Sequence, residues 1–216
     1  MIVTFFWGGL MKKRFIFDLD GTILNGDFSL VYDYFSNVLP EEKANYFRDN
    51  CDMLLDLYEN KFPKYDEYYL SKFLSDKIGC LITDKMIHTW NGLLEECDDY
   101  IEDGIIEVLE YLKEKDKSIV VLTNWFKSSQ EARLKRQLLL PYFDQVYAGD
   151  TYLKPSKDSY LLAKGDYKIE DCVMIGDNFE KDFYGAKRIG MDAVYYNREN
   201  DSKEGIKKLI KIKEMY

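Results

Sequence analysis

Histidine is almost absent from this 216-residue chain, with His88 the single copy. A Ser–His or Cys–His nucleophilic pair, or a metal site with several imidazoles, would have to be built on that one side chain. Cysteine is sparse too: Cys51, Cys80, Cys97 and Cys172, with no C-x-x-C pair among them. That usage fits a reducing, cytoplasmic compartment better than a disulfide scaffold. Cys172 opens the apolar run Cys-Val-Met-Ile, where a small buried thiol fits. Only 4 prolines and 13 glycines exclude a low-complexity or collagen-like chain. No apolar segment approaches the ~18 residues that cross a bilayer. Positive charge is in deficit, with 30 Lys and Arg against 39 Asp and Glu. A net charge of −9 argues against nucleic acid and anionic membranes as partners, since both are polyanions.

The length suits one large domain, or a core carrying one sizeable insertion. Residues Met1–Leu10 are apolar, but no basic residue precedes them and no small-residue cleavage site follows. They make a poor signal peptide. Met11-Lys12-Lys13-Arg14 looks like a second, more ordinary beginning. Trp7-Gly8-Gly9 must be encoded by TGG-GGN-GGN, which allows a purine-rich ribosome-binding run just before the Met11 codon. Met11 is therefore expected to begin the native protein, with Met1–Leu10 an extension or an ordinary tail.

From Arg14 onward, short β-branched or aromatic runs alternate with helical patterns. The runs are Arg14–Leu19, Ser118–Thr123, Phe143–Ala148, Cys172–Gly176 and Ala193–Tyr196. The first, second and fourth are apolar without alternation, as in strands covered on both faces. Ile105, Val108, Leu109 and Leu112 recur at helical spacing. Further helices are expected from Ser128 to Leu140-Pro141, from Glu180 to Gly190, and from Lys203 to Lys213. Such alternation predicts an α/β fold with a parallel, doubly wound sheet. One interval is too long. About 100 residues separate the first two strands, whereas a simple crossover unit takes roughly 30. The surplus carries helical patterns over Glu41–Glu59, Tyr65–Lys77 and Asp84–Glu96. The expected division is therefore a core of residues 11–25 and 100–216, and an all-helical insertion of residues 26–99 entered through a flexible link at Asn25-Gly26.

The first strand runs straight into Asp18-Leu19-Asp20-Gly21-Thr22. Acids after a strand are ordinarily turn formers, yet Asp18 lies within the apolar run, where a merely structural acid is expensive. The second strand ends in Thr123-Asn124, and the fourth in Gly176-Asp177-Asn178, with Asp182 five residues after Asp177. In open α/β sheets, ligands bind beyond the carboxyl ends of the strands. Three neighbouring strands ending in Asp, Thr and Asp would converge on one pocket.

In order along the chain, Asp-Leu-Asp-Gly-Thr at 18–22, Leu-Thr-Asn at 122–124, Lys154-Pro155, and Gly-Asp-Asn-Phe-Glu-Lys-Asp at 176–182 resemble the four motifs of the haloacid dehalogenase-like hydrolase superfamily. They span the whole core and leave only the insertion without a motif. The resemblance implies a Rossmann-like fold with a helical cap inserted between the first and second motifs. It implies Asp18 as nucleophile, ionised at neutral pH and in no need of an activating base. Attack on a phosphate monoester would give an aspartyl-phosphate. Asp20 suits a general acid that protonates the leaving oxygen and then, as a base, activates water. The Thr123 hydroxyl and the Asn124 backbone N–H would hold phosphoryl oxygens, while Lys154 supplies fixed positive charge. Carboxylates facing a phosphate dianion require a cation, and an all-oxygen donor set favours Mg²⁺. By family analogy its ligands are Asp18, the backbone carbonyl of Asp20, and Asp177, with Asp182 in the outer sphere.

The expected activity is thus Mg²⁺-dependent hydrolysis of small phosphate monoesters. A phosphomutase needs the same motifs and is the nearest alternative. Dehalogenases fit less well, because they lack a second aspartate where Asp20 stands. From another class, a phosphoacceptor signalling domain uses similar groups, but its phosphorylated Asp lies on a later strand and it has no large helical insertion. The partner is a small phosphorylated metabolite, and monomer and homodimer both stay open. His88 reads as a partly buried structural residue, and Tyr32, Tyr34, Tyr68 and Tyr69 as packing of the insertion. The basic stretch at 207–213 reads as the solvated face of a closing helix.

Overall fold

Four-residue strand β1, Arg14–Phe17, is buried along its whole length and lies at the centre of the sheet. The computed structural model describes residues 12–202 and 204–216. Met1–Leu10 and the Met11 start lie outside the described residues. On one side β1 pairs with β4 (Ser118–Leu122), and on the other with β6 (Cys172–Gly176). The sheet is completed by β5 (Gln145–Tyr147), β7 (Asp192–Tyr196) and β8 (Gly205–Ile206), in the order β5-β4-β1-β6-β7-β8 with every pairing parallel. The continuous apolar runs of β1, β4 and β6 follow from cover on both faces. Phe15 and Phe17 join Val108, Leu109 and Leu112 of α5 (Ile105–Glu114) in one core cluster. Ile16 points the other way, to Tyr160 of α7 (Lys157–Lys164) and to Ala186 of the short α8 (Gly185–Arg188). The α/β, Rossmann-like parallel sheet is therefore as the alternation predicts.

Between β1 and α5 lies the inserted helical layer. It comprises α1 (Ser29–Val38), α2 (Glu41–Lys61), α3 (Glu67–Ile78) and α4 (Asp84–Leu93). Asp66 caps α3 by accepting from the N–H groups of Tyr68 and Tyr69, and Thr83 caps α4 through Met86 N–H. The layer has a core of its own, with Phe35, Phe47, Tyr58 and Trp90 at its centre, and it closes over Trp125, Phe126 and Leu153 of the sheet domain. The link into it is not the flexible segment expected at Asn25-Gly26. Strand β2 (Leu24–Asp27) pairs antiparallel with β3 (Asp98–Ile101), so chain entry and exit form a two-stranded ribbon. The expected limits of the insertion, at residues 25/26 and 99/100, both fall inside that ribbon.

Three helical expectations need correction. The helix begun near Ser128 runs as α6, Lys127–Arg136, and stops before Leu138, which takes a positive φ of 60° ahead of Pro141. The segment Glu180–Gly190 opens with a wide π-type turn over Phe179–Tyr184 and only then becomes α8. At the C-terminus, Gly205 and Ile206 pair with Tyr195 and Tyr196 as an edge strand, leaving a short helix α9 at Ile212–Met215. Glycine favours that extended contact over a helix interior. His88 is exposed rather than partly buried, and its Nδ1 lies 2.8 Å from Glu67 Oε1. Among the tyrosines, Tyr68 and Tyr69 are exposed and Tyr34 packs edge-on against Phe35.

Candidate active site

The predicted residues meet at the carboxyl end of the sheet. Asp18 follows β1 directly, Thr123 and Asn124 follow β4, and Asp177 and Asp182 follow β6. Lys154 arrives from the loop after β5, and its Nζ lies 2.6 Å from Asp18 Oδ1 and 2.7 Å from Asp182 Oδ1. Both Lys154 and Asp182 are almost fully buried. Asn178 N–H donates to Asp182 Oδ2 at 2.9 Å, so the π-type turn folds that carboxylate back under the strand end. Two glycines make room for this crowding. A Cβ on Gly21, which has a φ of +81°, would collide with the Asp177 carboxylate, and one on Gly176 would collide with Asp182.

The electrostatics follow from burial and like charge. Burial and the charges of Asp182 and Asp177 push Asp18 well above the usual carboxylate range, against the opposing pull of Lys154. Burial and Asp182 likewise raise Asp177 to about 6. Burial would discharge Lys154, but Asp18 and Asp182 outweigh it and move its pKa upward. Carboxylate oxygens of Asp18, Asp177 and Asp182 lie within 4.8 Å of one another. Such a buried, over-negative, all-oxygen cluster has the chemistry of a hard divalent cation site, and Mg²⁺ fits it.

Asp20 stands apart from this cluster. Its Oδ2 accepts from Gln130 Nε2 at 2.8 Å, and Arg133 Nη1 lies 2.7 Å from its Oδ1. Gln130 Nε2 also donates to Thr123 Oγ1 at 3.1 Å, and Gln130 Oε1 accepts from Arg133 Nη1 at 2.7 Å. Arg133 is fully buried and makes a second ion pair, at 2.8 Å, with the buried Asp99 carboxylate of β3. One continuous network therefore joins Asp20 and Thr123 to the ribbon that carries the helical layer. Asn124 is held through its side chain. Its Oδ1 accepts from Lys154 N–H at 2.8 Å, and its Nδ2 donates to Lys154 O at 2.9 Å and to Glu59 Oε2 of α2 at 2.8 Å. Lys181 reaches α2 too, 2.8 Å from Asp56 and 2.9 Å from Glu59.

Sequence reasoning missed Gln130, Arg133, Asp99, Glu59 and Lys181. A signal existed for two of them. Gln130 and Arg133 stand at i and i+3 on α6, beside buried Leu134, so a polar inner face could have been read there. Asp99 and Glu59 sit in charged stretches that single out neither.

These groups line a cavity of about 410 Å³ between the sheet edge and the helical layer. Asp18, Asp20, Thr123, Asn124, Lys154 and Asp177 lie on its core side, while Tyr32, Leu55 and Glu59 lie on the other. Of the four tyrosines read as packing, Tyr32 faces this cavity.

The family model for haloacid dehalogenase-like hydrolases matches residues 12–190. Among curated proteins, the chain is 27% identical over 208 residues to pyrimidine 5'-nucleotidase PynA of Streptococcus pneumoniae, covering 87% of this chain and 85% of that protein. It is 31% identical over 117 residues to ribulose-1,5-bisphosphate 5-phosphatase of Halopiger xanaduensis, covering 52% of this chain and 48% of that one. Among solved structures, the HAD-hydrolase YfnB of Bacillus subtilis, bound to magnesium, aligns with a TM-score of 0.73 at 20% identity, over 95% of this chain and 99% of that one. The last likeness shows a common fold. Four ordered motifs converge on one strand edge beneath an inserted helical layer, and the family match runs through all of them: the chain belongs to the haloacid dehalogenase-like hydrolases.

Proposed function

We propose that this chain is a Mg²⁺-dependent phosphoric monoester hydrolase that acts on small phosphorylated metabolites by transferring the phosphoryl group to Asp18. The observation that carries this reading is the placement of Asp18: buried at the cavity floor, 2.6 Å from Lys154 and within one carboxylate cluster with Asp177 and Asp182. Kinship with PynA and the Halopiger phosphatase supports phosphate-ester chemistry, and the magnesium-bound YfnB structure supports the choice of metal.

Asp18, the Asp20 carbonyl and Asp177 would hold the ion, with Asp182 orienting Lys154 and the turn behind it. Bound there, Mg²⁺ would neutralise charge between the carboxylates and the phosphoryl oxygens. Asp18 attacks phosphorus, the ester P–O bond breaks, and the leaving oxygen takes a proton from the Asp20 carboxyl. Asp20 then removes a proton from water, which attacks the aspartyl-phosphate and releases inorganic phosphate. Thr123 and Lys154 bind phosphoryl oxygens, and Gln130 holds Asp20 and Thr123 in register. Residues 26–99 act as a cap that excludes water and contacts the leaving group.

The test is released phosphate from a panel of phosphorylated metabolites with Mg²⁺ present. Turnover should disappear in Asp18→Asn and on chelation of the metal. Full activity in Asp18→Asn would sink the assignment.

A further inference from the structure

Among the described residues, the cap side of the cavity carries acid and no free base. Asp52, Asp56 and Glu59 line it from successive turns of α2. Among the described residues, three cations reach the cavity, and each is already held between carboxylates. Lys154 lies between Asp18 and Asp182, Arg133 between Asp20 and Asp99, and Lys181 between Asp56 and Glu59. A phosphate dianion has the floor of the site to receive it. A second anionic group on the same substrate has none, and would face the α2 acids instead. The remaining wall is apolar and largely aromatic, with Phe28, Tyr32, Leu55, Trp90 and Trp125.

We propose that the cap side of the cavity is a charge filter: it takes phosphate monoesters whose leaving group is uncharged and presents a flat, apolar face, and it rejects esters with a second anionic group. This deepens the phosphatase reading and rests on it. Nucleoside monophosphates fall inside the accepted class, whereas sugar bisphosphates and phosphorylated carboxylic acids fall outside.

The experiment compares 4-carbamoylphenyl phosphate with 4-carboxyphenyl phosphate, which match in shape and differ by one negative charge. Released phosphate is measured with the Mg²⁺-loaded full chain. The filter predicts kcat/KM at least about tenfold higher for the amide at low ionic strength. That ratio should narrow as salt is raised, because repulsion at a solvent-open wall is screened and shape is not. Asp52→Lys, on an exposed position of α2, should narrow it by favouring the carboxylate ester. Equal efficiency for the two esters, a preference for the carboxylate, or a ratio indifferent to salt and to Asp52→Lys would overturn the filter while leaving hydrolysis standing. If neither ester nor 4-nitrophenyl phosphate releases phosphate, the phosphatase reading fails and the filter fails with it.

Discussion

Asp18 and Asp20 are two residues apart, and their surroundings push them toward different work. Asp18 sits among buried carboxylates against Lys154, while Asp20 is held by Gln130 and Arg133. Asp20→Asn keeps the backbone carbonyl and leaves Asp18 able to attack. On the proposed mechanism it removes the proton donor and base, a loss of about 10²–10⁴-fold for ordinary esters. An ester with a good leaving group needs little protonation, so the variant should accumulate phosphoenzyme from it and stall at hydrolysis, which a quenched time course would read. Arg133 is a structural counterpart. Arg133→Met would leave the buried Asp99 carboxylate to Arg136 alone, 2.7 Å away, and should destabilise the fold by about 1–3 kcal/mol, read from urea unfolding. The metal site should also be sensitive to pH. Asp18 is raised well above its ordinary range, and Asp177 to about 6, by burial and mutual repulsion. An ion there requires both as carboxylates, so Mg²⁺ binding should release protons and weaken as pH falls through about 6 and below. Calorimetric titrations in buffers of different ionisation enthalpy would detect that release. Legibility at this scale was uneven: Asp18, Thr123 and Asp177 could be read because each terminates an apolar strand, whereas Arg133 stood among the bases of Lys127–Arg136 with nothing local to say it was buried.

Strands were easier to place than the helices and ribbons around them. Runs covered on both faces, such as Cys172–Gly176, have one apolar reading and were found intact. The β2–β3 ribbon was invisible because its sequences, Leu-Asn-Gly-Asp and Asp-Asp-Tyr-Ile, carry polar residues that pair across about 75 residues of intervening chain. Asp144, just before β5, shows how such elements are tied. Burial works to raise its pKa, but hydrogen bonds from Ser118, Lys113 and Ile119 N–H outweigh it and set it below the ordinary value. A depressed carboxylate contributes stability above its unfolded pKa and loses it as pH falls through the folded one. Asp144→Asn should therefore cost about 1 kcal/mol at pH 7, given its partial exposure. The difference from the parent should shrink as pH falls through the depressed pKa of the folded carboxylate, below which both side chains are neutral. Urea midpoints measured across pH would check both limbs. The cap contacts belong to this scale too. Glu59 takes hydrogen bonds from Asn124 and Tyr65 and an ion pair from Lys181, so one α2 residue bridges cap and core. Glu59→Gln should raise KM several-fold for esters with a sizeable leaving group, and steady-state kinetics would show it.

For the molecule as a whole, the proposed chemistry sits on the sheet edge, and on that proposal the choice of leaving group falls to the inserted layer. The fold class was legible from the alternation of strands and helices, and the position of the site from strand ends, because a parallel sheet forces those ends together. Cap geometry was not, since helices α1 to α4 pack mainly on one another and their faces toward the core depend on Trp125 and Phe126, far along the chain. Exchanging residues 26–99 for a short linker should raise KM strongly for the preferred substrate and less for 4-nitrophenyl phosphate, although it would bare Trp125 and Phe126. Everything in this account passes through phosphoryl transfer to one carboxylate. The most direct measurement is rapid-quench labelling with a phosphorus-labelled substrate, followed by peptide mapping of the acid-trapped protein. The account predicts an acyl-phosphate on Asp18, absent in Asp18→Asn and accumulated in Asp20→Asn. Label on any other residue, or turnover at full rate with no label on Asp18, would contradict it.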